Sequence, residues 1–198
     1  MACGEKRNLS VCRGQTASFS VRPGTGQYTY KAISGVSNTA PCVVTVVGHG
    51  IPDGYPVAVV TMIGMDELEA SGNPPVEADY REASVADANS IVLNGVNSTD
   101  YTPYISGGYV QFHTPRDLAT DEAAFTIYTD EGGTAVLSLT SDPAAGVVVD
   151  NAAKVVTATI ADEQSAALRA GEFFYRFNLL TVDGEVLPLT YGMFTAEG

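Results

Sequence analysis

Val43-Val44-Thr45-Val46-Val47-Gly48-His49-Gly50-Ile51-Pro52-Asp53-Gly54 is the stretch that decides the fold class of this chain. Its β-branched residues read as a strand, and the Gly-His-Gly and Pro-Asp-Gly corners that follow read as consecutive turns. Further on, Asp87-Ala88-Asn89-Ser90-Ile91-Val92-Leu93 leads into Asn94-Gly95, a hairpin signal, and then into the Tyr/Ser/Gly-rich run Tyr101 to Gly108. These are the parts of a small β-module, and nothing in them is arranged for catalysis.

The flanking sequence continues in the same style. Phe19 and Val21 alternate after the turn at Arg13-Gly14. Beyond Arg116 the short strands follow one another: Phe125 to Tyr128, a turn at Asp130 to Gly133, Thr134 to Leu139, Gly146 to Val149, and Lys154 to Ile160. One short helix is expected next, with Asp162 as N-cap, Glu163 to Arg169 as its turns, Leu168 as its anchor and Gly171 as its stop. Phe173, Tyr175, Phe177 and Leu179 then share a strand face. Val182-Asp183-Gly184-Glu185 carries the Asp-Gly signature of a type I′ turn.

In order and spacing, Gly48-His49-Gly50, Gly54, Val57, Val59, Gly64-Met65-Asp66-Glu67-Leu68, Leu93, Gly95-Val96, Ser98-Thr99, Tyr101, Tyr104 and Ser106-Gly107-Gly108 resemble the FCCH domain. This small β-barrel module was first described in ubiquitin-activating enzymes and occurs as an insert in tailed-phage structural proteins. The resemblance covers residues 38–112 and is closer to the phage version. Two departures stand out: residues 69–79 form a longer connection, expected to project as a loop, and Val92 and Leu93 stand where an aromatic often sits. Nucleotide and ubiquitin chemistry does not carry over, because the domains that perform it have no counterpart here.

The flanks, best in the block Asp162 to Phe177, resemble the immunoglobulin-like domain at the N-terminus of phage upper-baseplate proteins. Together the two resemblances imply an all-β chain: an immunoglobulin-like antiparallel sandwich (residues 1–37 and 113–198) with an inserted small β-barrel module (38–112) and one short helix. They also imply a function, that of a non-enzymatic structural component of a tailed-phage virion, acting through interfaces with other virion proteins in a symmetric, multi-copy assembly. Such a protein is made in the host cytoplasm and resides in the virion, at the capsid surface, neck, tail or baseplate. The alternative is a receptor- or carbohydrate-binding module displayed on the same particle.

Composition is compatible with these expectations. The 198 residues are 45% hydrophobic, enough for one or two small cores. No segment offers the eighteen apolar residues of a membrane span, and Met1 to Arg7 lacks the apolar region of a signal peptide. Cys3, Cys12 and Cys42 are odd in number and lack metal spacing, so reduced thiols are expected. The net charge of −13 is unevenly spread. Residues 1–31 carry Lys6, Arg7, Arg13, Arg22 and Lys31 against Glu5 alone, leaving an acidic remainder. That balance disfavours nucleic acid as a partner. The basic arm reads equally as a docking element for an acidic neighbour or as a segment that neutralises its own domain.

Candidate site residues are therefore interface residues: Lys6, Arg7 and Arg13 on the arm, and Asp66, Glu67, Glu69, Glu77 and Asp79 around the long loop. With Glu82 the acidic set also invites a calcium reading, but it lacks the alternating ligand register of a calcium loop. His49 is read as a turn residue, since no second ligand or catalytic partner completes a site around it. Tyr101, Tyr104 and Tyr109 are read as packing residues, with a sugar-stacking platform as the competing role. No catalytic residue, metal or cofactor is expected.

Overall fold

Period-two alternation of apolar side chains is the local rule along most of the chain, and it produces strands. The computed structural model describes residues 5–141 and 145–198 and is all-β with one short helix, as the patterning predicts. Two compact units emerge, one made of Met1–Pro23 with Arg116–Gly198 and the other of Gly24–Pro115. The first unit opens with β1 (Glu5–Lys6), β2 (Leu9–Cys12) and β3 (Ala17–Val21). The second contains β4 (Gly24–Ala32), β5 (Gly35–Val36), β6 (Cys42–Thr45), β7 (Tyr55–Ile63), β8 (Arg81–Asp87), β9 (Ser90–Leu93) and β10 (Ser106–Pro115). The first then resumes with β11 (Glu122–Tyr128), β12 (Ala135–Thr140), β13 (Val147–Asp150), β14 (Val155–Ile160), α1 (Asp162–Ala167), β15 (Gly171–Leu180) and β16 (Val186–Glu197).

The first unit is a two-sheet sandwich. One sheet runs β13-β14-β3; the other runs β12-β11-β15-β16, with β1 and β2 lying parallel on β16. In sandwich terms these are the D-E-B strands facing the C-F-G strands, the strand order of an immunoglobulin-like fold. Phe173, Tyr175, Phe177 and Leu179 alternate inward and are all buried. Across the sandwich Phe19 stacks on Phe125 with ring centroids 5.9 Å apart, and Phe125 also packs against Tyr175, Phe177 and Phe194. Each such ring contributes roughly 1.5–3 kcal/mol by leaving water.

In the second unit a single sheet follows the path β4-β10-β7-β8-β9-β6-β5. Its two edge strands, β4 and β5, are separated only by Ile33 and Ser34, so the sheet rolls until its edges are consecutive chain. Those edges do not pair with each other. The expected small barrel is therefore a rolled, open sheet. Its core is mainly aliphatic, built on Val44, Val57, Val59, Ile91, Leu93 and Val110, with Tyr55 and Phe112 as its buried rings. Gly64 has φ +78°, and a Cβ there would collide with the Pro103 carbonyl oxygen, so this turn admits no side chain.

The structure moves the expected domain boundaries outward, from 37/38 to 23/24 and from 112/113 to 115/116. β4 pairs with β10 from Tyr109↔Ala32 to Pro115↔Gly24, and β5 pairs with β6. Both strands thus belong to the inserted unit, because their hydrogen-bonding partners lie there. At the new junction Arg116 N–H donates to the Pro23 carbonyl at 3.0 Å.

Three local expectations are also corrected. The N-cap of α1 is Ala161, whose N–H donates to the Gln164 side chain at 2.9 Å, and Gly171 begins β15 instead of stopping the helix. At the β15–β16 hairpin only Gly184 is left-handed, which excludes a type I′ turn; its N–H donates to Thr181 O at 2.8 Å. The β8–β9 hairpin closes at Asp87↔Ser90, ahead of Asn94-Gly95, which merely turns the chain away after β9. Leu168 is buried against the sandwich core as expected.

Candidate functional site

Each sequence-predicted residue has a definite place. Lys6 lies on β1 and lines a groove of about 340 Å³ together with Asp130, Glu131 and Glu172, acids of its own unit. The Arg13 guanidinium donates to Ala166 O at 3.0 Å, and the Arg7 backbone is held at both groups, its N–H donating to Tyr191 O and its carbonyl accepting from the Tyr175 hydroxyl. The arm is thus a pair of short strands annealed to β16, with basic side chains exposed at the edge.

The acidic residues do not converge on one site. Glu67 accepts from the N–H and hydroxyl of Thr102; backbone donors, first its own and then that of Thr102, hold its carboxyl below the usual range. Asp79 accepts from Ser71 N–H and Val76 N–H, which lower its pKa in the same way. Glu69 accepts from Met62 N–H, while Asp66 and Glu77 are exposed. The long connection is anchored at its start, where Ala70 N–H donates to Val59 O, and tied to itself through Asp79, while residues 71–74 and 76–78 are exposed. Among the described residues no group of three or more His, Cys, Asp or Glu is arranged to hold a metal ion.

His49 is a turn residue. It is buried between Gly48 and Gly50, both at positive φ; its Nδ1 accepts from Ile51 N–H at 2.9 Å, so its Nε2–H donates to Asp87 O at 2.8 Å. Cys12 and Cys42 are free thiols, and burial pushes the Cys42 pKa up; Cys3 lies outside the described residues.

Tyr101 and Tyr104 pack against the core of the inserted unit, and the Tyr104 hydroxyl lies 3.0 Å from Gly107 O as donor. Tyr109 is different. On β10 it alternates with the buried Val110 and Phe112, so it stands on the opposite, outward face. The three tyrosines proposed as a platform are not one surface.

That outward face carries aromatic residues that sequence reading missed. Register sets Tyr28 opposite His113, Tyr30 opposite Gln111 and Ala32 opposite Tyr109, all on one side of the β4–β10 pair. Tyr28, Tyr30 and Tyr109 are 42%, 52% and 46% exposed. The His113 ring lies 4.5 Å from Tyr28 and 6.0 Å from Tyr80. Gln111 Nε2 donates to the Tyr80 hydroxyl at 3.0 Å. Burial raises the Tyr80 pKa most, and the neighbouring Tyr28 and Tyr30 phenols add to the rise against the Gln111 hydrogen bond. Gln111 itself is only 1% exposed, and its Oε1 is buried without a partner. The period-two pattern of Tyr28, Tyr30 and Ala32 was the available signal; what hid it was ignorance of the strand across from it.

A second face stands out on the sandwich, opposite its core. Register places Tyr128, Phe174 and Met193 in one row and Arg176 with Tyr191 in the next. The Arg176 guanidinium sits 5.7 Å from the Tyr128 ring and 5.6 Å from the Phe174 ring. Beside it, Leu180, Val182 and Val186 are exposed at the β15–β16 hairpin, and Val186 lines a groove of about 480 Å³ with Phe174, Arg176 and Tyr191. Compared with models of known protein families and with curated proteins, the chain gives no match.

Proposed function

We propose that this protein is a non-enzymatic structural component of a tailed-phage virion, working by interface formation with neighbouring virion proteins. The observation that carries the reading is the outward face of the β11–β15–β16 sheet. Aromatic rings, a methionine and an arginine held between rings stand there beside exposed Leu180, Val182 and Val186. This is the side-chain mixture that protein–protein interfaces favour, and an exposed apolar patch of this kind marks a contact surface. The resemblance of the spaced Gly-His-Gly to Ser-Gly-Gly elements to phage inserts supports the particle as its setting.

The chemistry of such a function is association. Apolar contacts on the hairpin supply affinity, while the basic edge at Lys6, Arg7 and Arg13 on an acidic chain assists register. The test is incorporation. Wild-type protein is expected in purified particles at a fixed copy number, located by antibody labelling or cryo-imaging, and Val186→Asp with Met193→Asp is expected to fold yet stay out of them. Absence of the wild-type chain from particles, or normal incorporation of the folded variant, overturns the reading.

A further inference from the structure

The outward face of the inserted unit combines two features that do not arise from packing. Tyr28, Tyr30 and Tyr109 are half exposed, although the unit's own core takes in Tyr55 and Phe112 and is flanked by Tyr101 and Tyr104. Beneath them lies Gln111, 1% exposed, with a carbonyl oxygen that no donor reaches. Buried acceptors of this kind are rare in folded proteins because an unmade hydrogen bond is costly. We propose that this face is a binding site for a neutral glycan: sugar rings stack on Tyr30 and Tyr109, and a sugar hydroxyl donates to Gln111 Oε1.

Geometry and charge select this ligand class. Tyr109 has the small Ala32 beside it on β4 and Val60 beside it on β7, which leaves its ring face clear. Tyr30 stands one pair further along the same β4–β10 ladder, diagonal to Tyr109, at a separation of roughly 5–8 Å for residues so placed. Tyrosine rings offer an apolar face to the C–H side of a sugar and a hydroxyl at their edge. The phenols of Tyr28, Tyr30 and Tyr80 converge near the Gln111 amide, so donors and acceptors for several hydroxyls lie together. A proline-rich peptide also stacks on tyrosine, but a proline ring has no donor for the orphaned oxygen. Neither Lys31 nor Arg81, the unit's two bases, stands in the register of this face, whereas Glu82, paired with Pro56 two residues from Ala58, does. Anionic sugars are thereby disfavoured. Tyr30 stands across from Gln111 on β4, and as an exposed side chain it changes rotamer on a fast timescale, which admits a hydroxyl to the amide. The site stands on the inserted unit alone and is independent of whether the chain belongs to a virion.

The experiment uses the full chain and a panel of neutral gluco-, manno-, galacto- and N-acetylglucosamine hexasaccharides, with sialyllactose and a proline decamer as comparators, followed by amide chemical shifts and calorimetry. At least one neutral sugar is expected to bind saturably with a Kd at or below about 1 mM. Its shifts are expected at residues 28–32, 58–60 and 109–113. Tyr30→Ala, Tyr109→Ala and Gln111→Leu are each expected to weaken binding at least about tenfold without lowering Tm, while Tyr104→Phe, altered on the core side, leaves binding unchanged. The shift map on the unaltered protein keeps the test decisive if a variant folds poorly. No saturable binding by any neutral sugar overturns the proposal, as do shifts confined to other residues, undiminished binding in a folded Tyr30→Ala/Tyr109→Ala variant, or binding of the proline decamer in place of sugar.

Discussion

The two units divide their aromatic residues in opposite ways. Six of the seven phenylalanines (Phe19, Phe125, Phe173, Phe174, Phe177 and Phe194) belong to the sandwich, and seven of the ten tyrosines belong to the inserted unit. In the sandwich five of the six phenylalanines face inward, where Phe125 touches four other rings, and Phe174 stands with Tyr128 and Tyr191 on the outward face. In the inserted unit the inward positions are mainly aliphatic, with Tyr55 and Phe112 among them, and three tyrosines face out. Phenylalanine has only hydrophobic area to offer, whereas tyrosine couples an apolar ring to a polar hydroxyl that tolerates water. The difference separates rings that hold a fold together from rings available to something else.

The largest expected effect tests the inward rings. Phe125→Ala removes the ring at the centre of the sandwich cluster and is expected to cost about 3–5 kcal/mol, measured by denaturant unfolding. A loss below 1 kcal/mol, about the size of a surface change, would show that the aromatic cluster is not what stabilises the sandwich. In the inserted unit the corresponding weak point is a polar one. His49→Ala leaves Ile51 N–H and Asp87 O without their partners in a buried turn, with an expected cost of about 1–3 kcal/mol in the same measurement. His49→Asn, which retains one donor and one acceptor, should recover part of that loss.

Tyr30→Ala sharpens the contrast from the other side. Its half-exposed ring is expected to change stability by no more than about 0.5 kcal/mol. A cost as large as that of Phe125→Ala would make the outward tyrosines structural and remove the distinction between the units.

The smallest effect concerns pH. Burial lowers the His113 pKa in the folded protein, so the neutral ring is favoured on folding. The unfolded chain then binds more protons as pH falls below the ordinary histidine value, so the contribution is fully present above it and declines as pH drops through the lower folded value. Stability is expected to fall slightly between pH 7 and pH 5 in the wild type, with a smaller decline in His113→Gln. An equal slope in the two proteins would show that His113 does not carry it; Glu67 and Asp79, with lowered pKa values, lose their contribution only in a more acidic window.

Much of this architecture was legible without coordinates. Alternation in Phe173 to Leu179 determined both a strand and its buried face, because a period of two admits only one inward set. Glycines around His49, short strands and turn residues determined an all-β chain. The helix was legible to within a few residues, although its cap was not, since Ala161 has no side-chain signal for the role Gln164 fills by reaching back. Tertiary structure alone decided where the units divide. Gly24–Ala32 is a strand by composition, but which sheet it joins depends on β10, far along the chain, and residues do not carry the identity of their hydrogen-bonding partners. The same gap hid the outward face. Tyr28, Tyr30, Tyr80, Tyr109, Gln111 and His113 are scattered over three segments, and only the antiparallel register of β4 with β10 and the pairing of β7 with β8, at whose start Tyr80 stands, bring them together. Local sequence determines which side of a strand a residue faces; what lies across from it is a property of pairing between distant segments, where backbone hydrogen bonds and the shared core make the choice.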